Sequence, residues 1–348
     1  MIHIVVADEL WPGSGNAVTA RRMAAEMRGS GLPAEPVRLS ELVAKTDWSG
    51  VRLLHGLHAR RTGPHVRRLA QVHGIPYAIT LTGTDLSSDL ADPVTRLELE
   101  PVLADAAAIV VFDRAEGTEL RRLLPDLTSP LYAIRPGAVP PPGASWRRRL
   151  RLEPEAVLFF LPAGMRAVKR PLLALEIVEA LRRTVPAARL VMAGAEMDAA
   201  LVARLVEAAK SRPWLSWLGP VPYDQVGGLY RAADVVLNTS LAEGLANSLL
   251  EAMALGKPIL ASDIMGNRAA LGQGQGEEAV GLLFNDLEEA VAKARQLALN
   301  QPLRRALGEA AARRARQFYD ALEEARGYRQ LYGQALDEAG ADREDLAQ

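Results

Sequence analysis

Short apolar runs alternate with amphipathic stretches along most of the chain. A continuous apolar run is typical of a strand buried on both faces, and a repeat near 3.6 residues is typical of a helix covering a sheet. Their alternation with few intervening residues predicts a parallel, doubly wound sheet. In the first half, the pattern predicts strands at Ile2–Ala7, Val51–His55, Tyr77–Leu81, Ala108–Val111 and Leu131–Ile134, with helices near 17–30, 62–72, 93–104 and 114–124.

The alternation stops at a stretch rich in proline and glycine, 136–143. Such a stretch continues neither a helix nor a central strand, so we predict a linker over 139–152 with solvated arginines. The predicted domains are therefore 1–138 and 153–317, and the chain closes with a helix and a polar tail over 318–348.

The strand–helix alternation restarts after the predicted linker, which predicts a second doubly wound domain. Its strands are expected at Val157–Leu161, Arg189–Ala193, Trp214–Leu218, Val235–Asn238, Pro258–Ala261 and Gly281–Phe284. Its helices are expected near 171–184, 198–210, 222–232, 245–255 and 286–299, and the chain is purely helical after about 301, including Phe318–Leu336.

Composition narrows the class of protein. Of the 348 residues, 49% are hydrophobic and 24% are charged, which excludes a disordered chain and provides for two cores. The formal net charge of −1 disfavours a general nucleic-acid binder, and the absence of cysteine excludes disulfides and thiol catalysis. No apolar stretch reaches the ~18 residues of a membrane span and no signal-peptide pattern follows Met1, so a cytoplasmic protein is expected.

The first candidate phosphate site is the sequence PGSGN at 12–16, between a predicted strand and a helix. Gly15 and Asn16 would let backbone amides approach an anion at the helix start. The spacing is not GxGxxG, so a nicotinamide or flavin site is not indicated. A plain strand-to-helix turn explains these residues equally well.

A second candidate lies at 164–171, where Arg166 and Lys169 follow Gly164 and precede a helix that opens with Pro171. Cations at a helix start are unfavourable unless an anion is bound there. Two cations and a helix dipole suit a diphosphate. Solvated charges on a loop are the alternative interpretation.

The strongest candidate is a pair of glutamates separated by seven residues. The first follows a strand, and the second lies on a helix roughly 8–10 Å further along at about 1.5 Å per residue. The first could accept hydrogen bonds from sugar hydroxyls, the amides between them could hold phosphate, and the second could bind both ribose hydroxyls. The alternative is a surface helix with two unrelated glutamates. The residues predicted to bind this sugar- and phosphate-bearing ligand are Glu243, Gly244, Leu245, Ala246, Asn247 and Glu251.

Two further clusters follow predicted strands of the first half. In the first cluster, hydroxyl and acidic groups at a strand end would face a ligand, although a capping turn explains them too. In the second cluster, a histidine could carry a proton and arginines could bind an anionic acceptor, although a structural histidine is equally expected. The first cluster is Thr80–Asp85, with Thr82, Thr84 and Asp85, and the second is His55–Arg61, with His55, His58, Arg60 and Arg61.

The sequence lacks the motifs of several common catalytic and metal-binding sites. The chain has no Asp-x-Asp, no Walker A sequence, no HExxH and no nucleophile elbow. We therefore expect no metal and no cofactor apart from a substrate. The cations at 164–171 and helix dipoles would neutralise a leaving diphosphate instead.

At these motifs the chain resembles the GT-B glycosyltransferases of family 4, also called glycosyltransferase group 1. The paired glutamates Glu243 and Glu251 and the loop with Gly164, Arg166 and Lys169 carry this resemblance. It extends over nearly the whole chain and is best over 157–285.

Shorter segments are similar to two subgroups. Gly15–Ala20, Val168–Pro171 and Gly266-Asn267 are similar to glycosyltransferase 1 domain-containing proteins. Leu57–Arg61, Leu81–Asp85 and the same Gly15–Ala20 segment are similar to selenosugar synthases.

The resemblance implies two Rossmann-like domains facing across a cleft, with the acceptor in 1–138 and the nucleotide sugar in 153–317. It implies metal-independent transfer from a UDP-sugar with retention of configuration, and a C-terminal helix that crosses back to the first domain. Arg166 and Lys169 would stabilise the leaving diphosphate, Glu243 would fix the sugar and Glu251 the ribose. Gly15 would let the first domain close over the phosphates.

One position departs from the family. Many members carry a histidine at the end of the fourth strand, where this chain has Thr82, followed by Asp85. The selenosugar-synthase resemblance implies an anionic selenophosphate or thiophosphate acceptor, a strong nucleophile that needs little help from a base. Arg60 and Arg61 would bind its phosphate.

Other functions stay open from the sequence alone. A hydroxyl acceptor on a glycan, lipid or small molecule is one, and peripheral membrane contact through Arg60, Arg61, Arg67 and Arg68 is another. A UDP-sugar 2-epimerase-like isomerase would use carboxylates such as Asp85 and Asp89. A non-catalytic sugar-nucleotide-binding protein is the fourth. The sequence names neither the sugar nor the oligomeric state.

Overall fold

The computed structural model describes residues 1–10, 14–28, 31–82, 85–272 and 280–345, which form two compact units. The first unit comprises Met1–Gly137 and Asp320–Gln348, and the second unit comprises Ala138–Tyr319. Each is described below by itself.

The first unit is built on a parallel sheet of six described strands in the order β2-β1-β3-β4-β5-β6. Its strands are β1 (Ile2–Val6), β2 (Ala34–Arg38), β3 (Leu53–Leu57), β4 (Tyr77–Thr80), β5 (Ala108–Val111) and β6 (Leu131–Ala133). Its helices are α1 (Gly15–Met27), α2 (Leu39–Val43), α3 (Ala59–His73), α4 (Pro93–Ala104), α5 (Arg114–Leu123) and α13 (Ala321–Asp345).

The apolar runs predict the buried strands of the first unit well, whereas β2 and α2 are not predicted. The sequence of β2 is AEPVR, which contains Pro36 and two charged residues and is only partly buried. An edge strand tolerates proline because one of its sides needs no ladder hydrogen bonds. Its polarity therefore hides it from a search for apolar runs.

The second unit is built on another parallel sheet of six described strands, in the order β12-β11-β10-β7-β8-β9. Its strands are β7 (Val157–Pro162), β8 (Ala188–Ala193), β9 (Leu215–Trp217), β10 (Val235–Asn238), β11 (Ile259–Ser262) and β12 (Leu282–Phe284). Its helices are α6 (Pro171–Leu181), α7 (Ala199–Lys210), α8 (Tyr223–Ala232), α9 (Asn247–Ala254), α10 (Met265–Leu271), α11 (Leu287–Leu299) and α12 (Gln301–Phe318).

Both faces of the second sheet are covered, as adjacent residues of β7 show. Phe159 and Phe160 are both fully buried, yet they belong to different core clusters. Phe159 packs in the cluster that holds Ile177 of α6, and Phe160 meets the Tyr230 ring edge-on at 5.1 Å between centroids. Helices on both faces of a parallel sheet explain why its strands are apolar throughout.

The segment predicted as a linker, 139–152, is packed on the second unit. The Trp146 backbone donates a hydrogen bond to the Gly228 carbonyl at 3.0 Å, and Arg147 lies 3.0 Å from Asp234. A Cβ at Gly228 would lie 2.3 Å from the Trp146 ring, so α8 needs glycine here. Trp146 and Arg147 therefore fix this segment to the second unit, although its prolines suggest a flexible linker.

Helix α13 packs on the first unit, although it follows the second in sequence. Arg22 of α1 donates two hydrogen bonds to the Glu324 carboxylate, at 2.7 and 2.9 Å, and both side chains are largely buried. Tyr328 and Tyr332 are buried in the cluster that holds β1 and β3. Helix α12 ends at Phe318 and α13 begins at Ala321, so the predicted helix Phe318–Leu336 starts three residues later.

His55 lies at the centre of this packing and is fully buried. Its Nδ1 lies 2.7 Å from the Tyr332 hydroxyl and its Nε2 lies 2.7 Å from Thr80 Oγ1. Burial lowers the pKa of the imidazole from 6.5 to about 3. The folded ring therefore stays neutral at pH values where an exposed histidine would be protonated.

This burial makes the stability of the first unit depend on pH. Below pH 6.5 the unfolded chain binds a proton that folded His55 does not bind, so this stabilisation is complete above pH 6.5 and is lost as the pH falls toward 3. We expect the free energy of unfolding to fall between pH 7 and 5 by about 2 kcal/mol more in the parent protein than in His55→Gln. Urea unfolding at both pH values measures this difference. The exposed His65 supplies the control, since His65→Gln should follow the parent, and equal losses in all three proteins would contradict the assignment.

Candidate functional site

The order of strands in the second sheet creates a site at its carboxyl edge. Strands β7 and β10 are neighbours, but the chain leaves β7 toward β8 and leaves β10 toward β11, in opposite directions along the sheet. Parallel α/β sheets bind ligands at such a switch point, where the two loops diverge. The loop after β7 carries the predicted 164–171 segment, and the loop after β10 carries Glu243.

The two loops are fastened to each other by their backbones. The Leu241 amide donates to the Val168 carbonyl at 2.8 Å, and Thr239 Oγ1 donates to the Lys169 carbonyl at 2.7 Å. Arg170, which has a positive φ of 43°, donates from Nε to the Thr239 carbonyl at 2.7 Å. Arg170 therefore ties the two loops together.

Lys169 and Glu243 form a largely buried ion pair, with side chains 17% and 11% exposed. The ammonium group contacts Glu243 Oε1, and the same oxygen accepts from Ser240 Oγ at 2.6 Å and from Asn238 Nδ2 at 3.4 Å. No donor reaches Glu243 Oε2 among the residues that the structure describes. The carboxylate is therefore held by one oxygen.

Arg166 lies at the start of the short 3-10 turn Ala167–Lys169 that leads into α6. Its Nε is buried and has no hydrogen-bond partner within the described part of the chain. A buried donor without a partner is costly unless a ligand or water supplies the acceptor. Gly164 lies close by, and a Cβ there would lie 2.8 Å from Met197 Sδ. The loop backbone therefore packs against Met197, and Arg166 Nε is the group that offers a donor to an anion.

Glu251 lies within α9, and the Tyr230 hydroxyl donates a hydrogen bond to its Oε2 at 2.7 Å. Tyr230 is fully buried, and burial together with the neighbouring Glu251 charge raises its pKa well above 10. The hydroxyl therefore remains a donor at every physiological pH. Asn247 begins α9, so the residues that precede it, Gly244, Leu245 and Ala246, place their backbone at a helix start.

The first unit brings together a second set of predicted residues at its own switch point, between β1 and β3. Asn16 of α1 donates from Nδ2 to Thr82 Oγ1 at 3.1 Å, next to Gly15, the first residue of α1. The Thr82 amide donates to Asp85 Oδ2 at 2.5 Å, and the Ala59 amide donates to Asp85 Oδ1 at 2.9 Å. The predicted Thr84 lies outside the described residues.

His58 occupies the centre of this set with an unusual backbone. Its φ of 84° lies in the left-handed region, which is costly for a residue with a side chain and clusters at functional sites. Its Nδ1 lies 2.9 Å from Asp85 and its Nε2 lies 3.8 Å from Asp89, both nearly buried. The three groups are close enough to hold a metal ion, whereas the sequence predicts no metal, and that expectation stays a prediction.

Three of the four arginines of the predicted basic face are paired with carboxylates. Arg60 contacts Asp89 at 3.1 Å, Arg61 contacts Glu9 at 2.5 Å and Arg67 contacts Asp105 at 2.7 Å. An anionic acceptor or membrane would have to compete with these partners. These acidic neighbours could not be seen from the sequence, and the binding role of the arginines stays a prediction.

Several site residues were missed from the sequence. Tyr230, Asn238 and Ser240 reach the glutamates from elements whose pattern predicts only core or strand ends. Glu116 of α5 is the other omission, because burial raises its pKa to about 7 and Asp85 adds to that effect. Nothing in one sequence distinguishes these polar groups from ordinary caps and core partners.

Known proteins are similar to this chain, above all in its second unit. Residues 144–314 match the family model of glycosyl transferases group 1. The glycosyltransferase 1 domain-containing protein 1 of Xenopus tropicalis is 24% identical over 239 residues, which cover 66% of this chain and 68% of that protein. A D-inositol 3-phosphate glycosyltransferase of Kineococcus radiotolerans is 30% identical over 278 residues, covering 73% of this chain but only 63% of that protein.

Solved structures match the complete fold. Sucrose-phosphate synthase from Thermosynechococcus elongatus gives a TM-score of 0.78 at 17% identity and covers 97% of this chain and 99% of that chain. Anabaena HepE, solved with UDP-glucose, gives a TM-score of 0.72 at 16% identity. The match covers 95% of this chain and 98% of the HepE chain. The prediction of two doubly wound parallel sheets of GT-B type is therefore confirmed.

The fold is that of GT-B proteins, and residues 144–314 are similar to the glycosyl transferases group 1 model. The predicted resemblance to group 1 is confirmed at this level, and the selenosugar-synthase resemblance stays a prediction. Within the described ranges, no helix has the length and apolar character needed to cross a bilayer.

The packing of α10 against the Glu243 loop gives a test of the site's rigidity. A Cβ at Gly266 would lie 1.9 Å from the Gly244 carbonyl oxygen and 2.4 Å from that of Glu243. We expect Gly266→Ala to lower the free energy of unfolding by about 1–3 kcal/mol, because the loop backbone must move. Gly333→Ala is the control, since nothing lies within 4 Å of a Cβ there. Urea unfolding measures both, and a Gly266→Ala protein as stable as the parent would refute this packing.

Proposed function

We propose that this protein is a metal-independent glycosyltransferase that transfers a sugar from a UDP-sugar to a small acceptor with retention of configuration. The observation that carries the proposal is the arrangement of Arg166, Lys169 and Glu243 at the switch point of the second sheet, with Glu251 on the following helix. Cations, a helix start and two carboxylates in this order match the diphosphate, sugar and ribose of one ligand. Anabaena HepE, a structural neighbour, binds UDP-glucose, which supports the choice of donor.

The proposed reaction breaks the bond between the sugar anomeric carbon and the UDP oxygen, and the electron pair leaves with UDP. A bond forms from the acceptor nucleophile to the same carbon, on the face that UDP leaves. Lys169 and Arg166 stabilise the negative charge that develops on the diphosphate. Glu243 fixes the sugar by a hydroxyl, Glu251 accepts from the ribose, and the amides of Gly244–Asn247 support the phosphates.

For the acceptor we propose a small anion of the selenophosphate or thiophosphate kind, bound through His58, Arg60 and Arg61 in the first unit. The support is the clustering of these basic groups after β3 and the resemblance of this segment to selenosugar synthases. Such a nucleophile explains how Thr82 can stand where the family has a histidine.

A hydroxyl acceptor is the second candidate, and the acidic partners favour it. Asp85 and Asp89 are 1% and 7% exposed beside His58, and two buried carboxylates disfavour a neighbouring anion. Asp85 would then orient the acceptor near Thr82, and the hydroxyl proton would pass to the departing UDP. An acceptor screen decides between the candidates: reaction with neutral alcohols alone would refute the anionic acceptor.

The donor site is tested by thermal unfolding with nucleotides and nucleotide sugars in the presence of EDTA. A ligand at 100 times its dissociation constant stabilises by roughly 2.7 kcal/mol, so we expect UDP and UDP-sugars to raise Tm by on the order of 5–10 °C. Glu251→Ala should lose this shift because the ribose contact is gone. Glu207→Ala, a change at an exposed ion pair of α7, is the control and should retain the rise in Tm. A shift that EDTA abolishes would refute metal independence, and no shift with any nucleotide would refute the donor site.

The role of the cations is tested by turnover. We expect Lys169→Ala and Arg166→Ala each to lower kcat by ~10²–10³ because the leaving diphosphate loses a positive charge. Lys210→Ala, which removes an exposed lysine of the same unit, should retain the parent rate. Product analysis checks the reaction class, since an epimerised nucleotide sugar in place of a new glycoside would indicate an isomerase. Parent-like turnover in both site variants would contradict the assignment.

A further inference from the structure

Asn267 is a fully buried amide on α10, next to Gly266, and the proposed reaction does not yet use it. Its Nδ2 donates to the Ser262 carbonyl at 3.0 Å and lies 3.3 Å from Asn238 Oδ1. Asn238 is also buried and stands at the carboxyl end of β10, immediately before the Glu243 loop. Asn267 therefore contacts the strand end from which the candidate sugar-binding loop departs.

The donors around Asn238 fix the orientation of its amide. Its Oδ1 accepts from the Ser240 backbone amide at 3.0 Å as well as from Asn267 Nδ2. With the oxygen held on that side, the Asn238 NH₂ group points to Glu243 Oε1, at 3.4 Å. A flipped amide would place two donors, Asn267 Nδ2 and Asn238 Nδ2, against each other and its oxygen against the carboxylate.

The same chain of contacts determines which oxygen of Glu243 is available. Asn238 Nδ2, Ser240 Oγ and Lys169 Nζ all meet Oε1. The carboxylate plane is thereby fixed, and Oε2 is the oxygen left for a ligand among the described contacts. A carboxylate anchored on one side accepts a hydroxyl from only one direction, so it can select a sugar by the position of that hydroxyl.

We propose that Asn267 is a positioning residue for the donor sugar: through Asn238 it orients Glu243, so that Oε2 accepts one sugar hydroxyl. This inference rests on the proposed function. It gives a role to the Gly266-Asn267 pair, in which glycine permits α10 to touch the loop backbone and asparagine fixes the amide chain. Glu243 touches the sugar, and Asn267 acts only through its neighbours.

The inference predicts a selective loss of sugar recognition. The probes are UDP, UDP-glucose and UDP-N-acetylglucosamine, with affinities measured by calorimetry. In the parent, at least one UDP-sugar should bind more tightly than UDP. In Asn267→Ala we expect this advantage to fall about tenfold or more while the Kd for UDP stays within about twofold, because the contacts of the nucleotide are untouched.

Two further variants keep the test decisive. Asn267→Ser keeps a small polar side chain but lacks the Nδ2 that contacts Asn238, so it should show the same selective loss if Asn267→Ala does not fold. Asn285→Ala removes a matched amide–glutamate contact, 3.1 Å from Glu289 on the surface of the same unit, and should behave as the parent.

The outcomes separate the two proposals. A parent that gains nothing from the sugar part of any UDP-sugar refutes the proposed function. A parental gain that persists in both Asn267 variants refutes the positioning role alone. A uniform loss of affinity for UDP and UDP-sugars would show that Asn267 merely supports the fold, which also overturns the inference.

Discussion

The ion pair between Lys169 and Glu243 is the interaction on which the second unit's site depends. It joins loops that leave neighbouring strands in opposite directions and that would otherwise diverge. Both side chains are largely buried, and a charge in such a place loses hydration that only a partner can replace. The pair therefore favours the one arrangement in which the two loops lie side by side, and Thr239 and Arg170 secure it through the backbone.

The fold could be read from the sequence where burial alone determines it. Strands such as Ala108–Val111 and Val235–Asn238 are apolar throughout because helices cover both faces of each sheet, and their predicted bounds agree with the structure. Strand β2 and helix α10 were missed for the opposite reason. One is a polar edge strand that contains proline, and the other is a seven-residue helix whose Gly266 and Asn267 serve contacts rather than helix propensity.

A candidate site residue can be recognised in the sequence when it does not stabilise the helix or strand that carries it. Cations before a helix and a glutamate after a strand stand out because neither stabilises the element that carries it. Arg166, Lys169 and Glu243 were singled out in this way, and the structure places Lys169 against Glu243. Partners such as Asn238, Ser240 and Tyr230 did not stand out because each suits its own strand end or helix. The pairing of Arg60 with Asp89 needed the structure as well, since the two residues are adjacent only after α3 and the turn that follows β4 have folded together.

The return of α13 to the first unit determines the order in which the molecule can be completed. Ile4, Val6 and Leu57 share one core cluster with Tyr328 and Leu331, whereas the second unit consists of the single segment Ala138–Tyr319. During synthesis Met1–Gly137 emerges before α13, so the apolar face that α1 and α13 cover together stays incomplete until α13 has left the ribosome. The half that is made first is therefore finished last. Until then its exposed apolar face needs protection from other chains, and the continuous second unit can fold meanwhile.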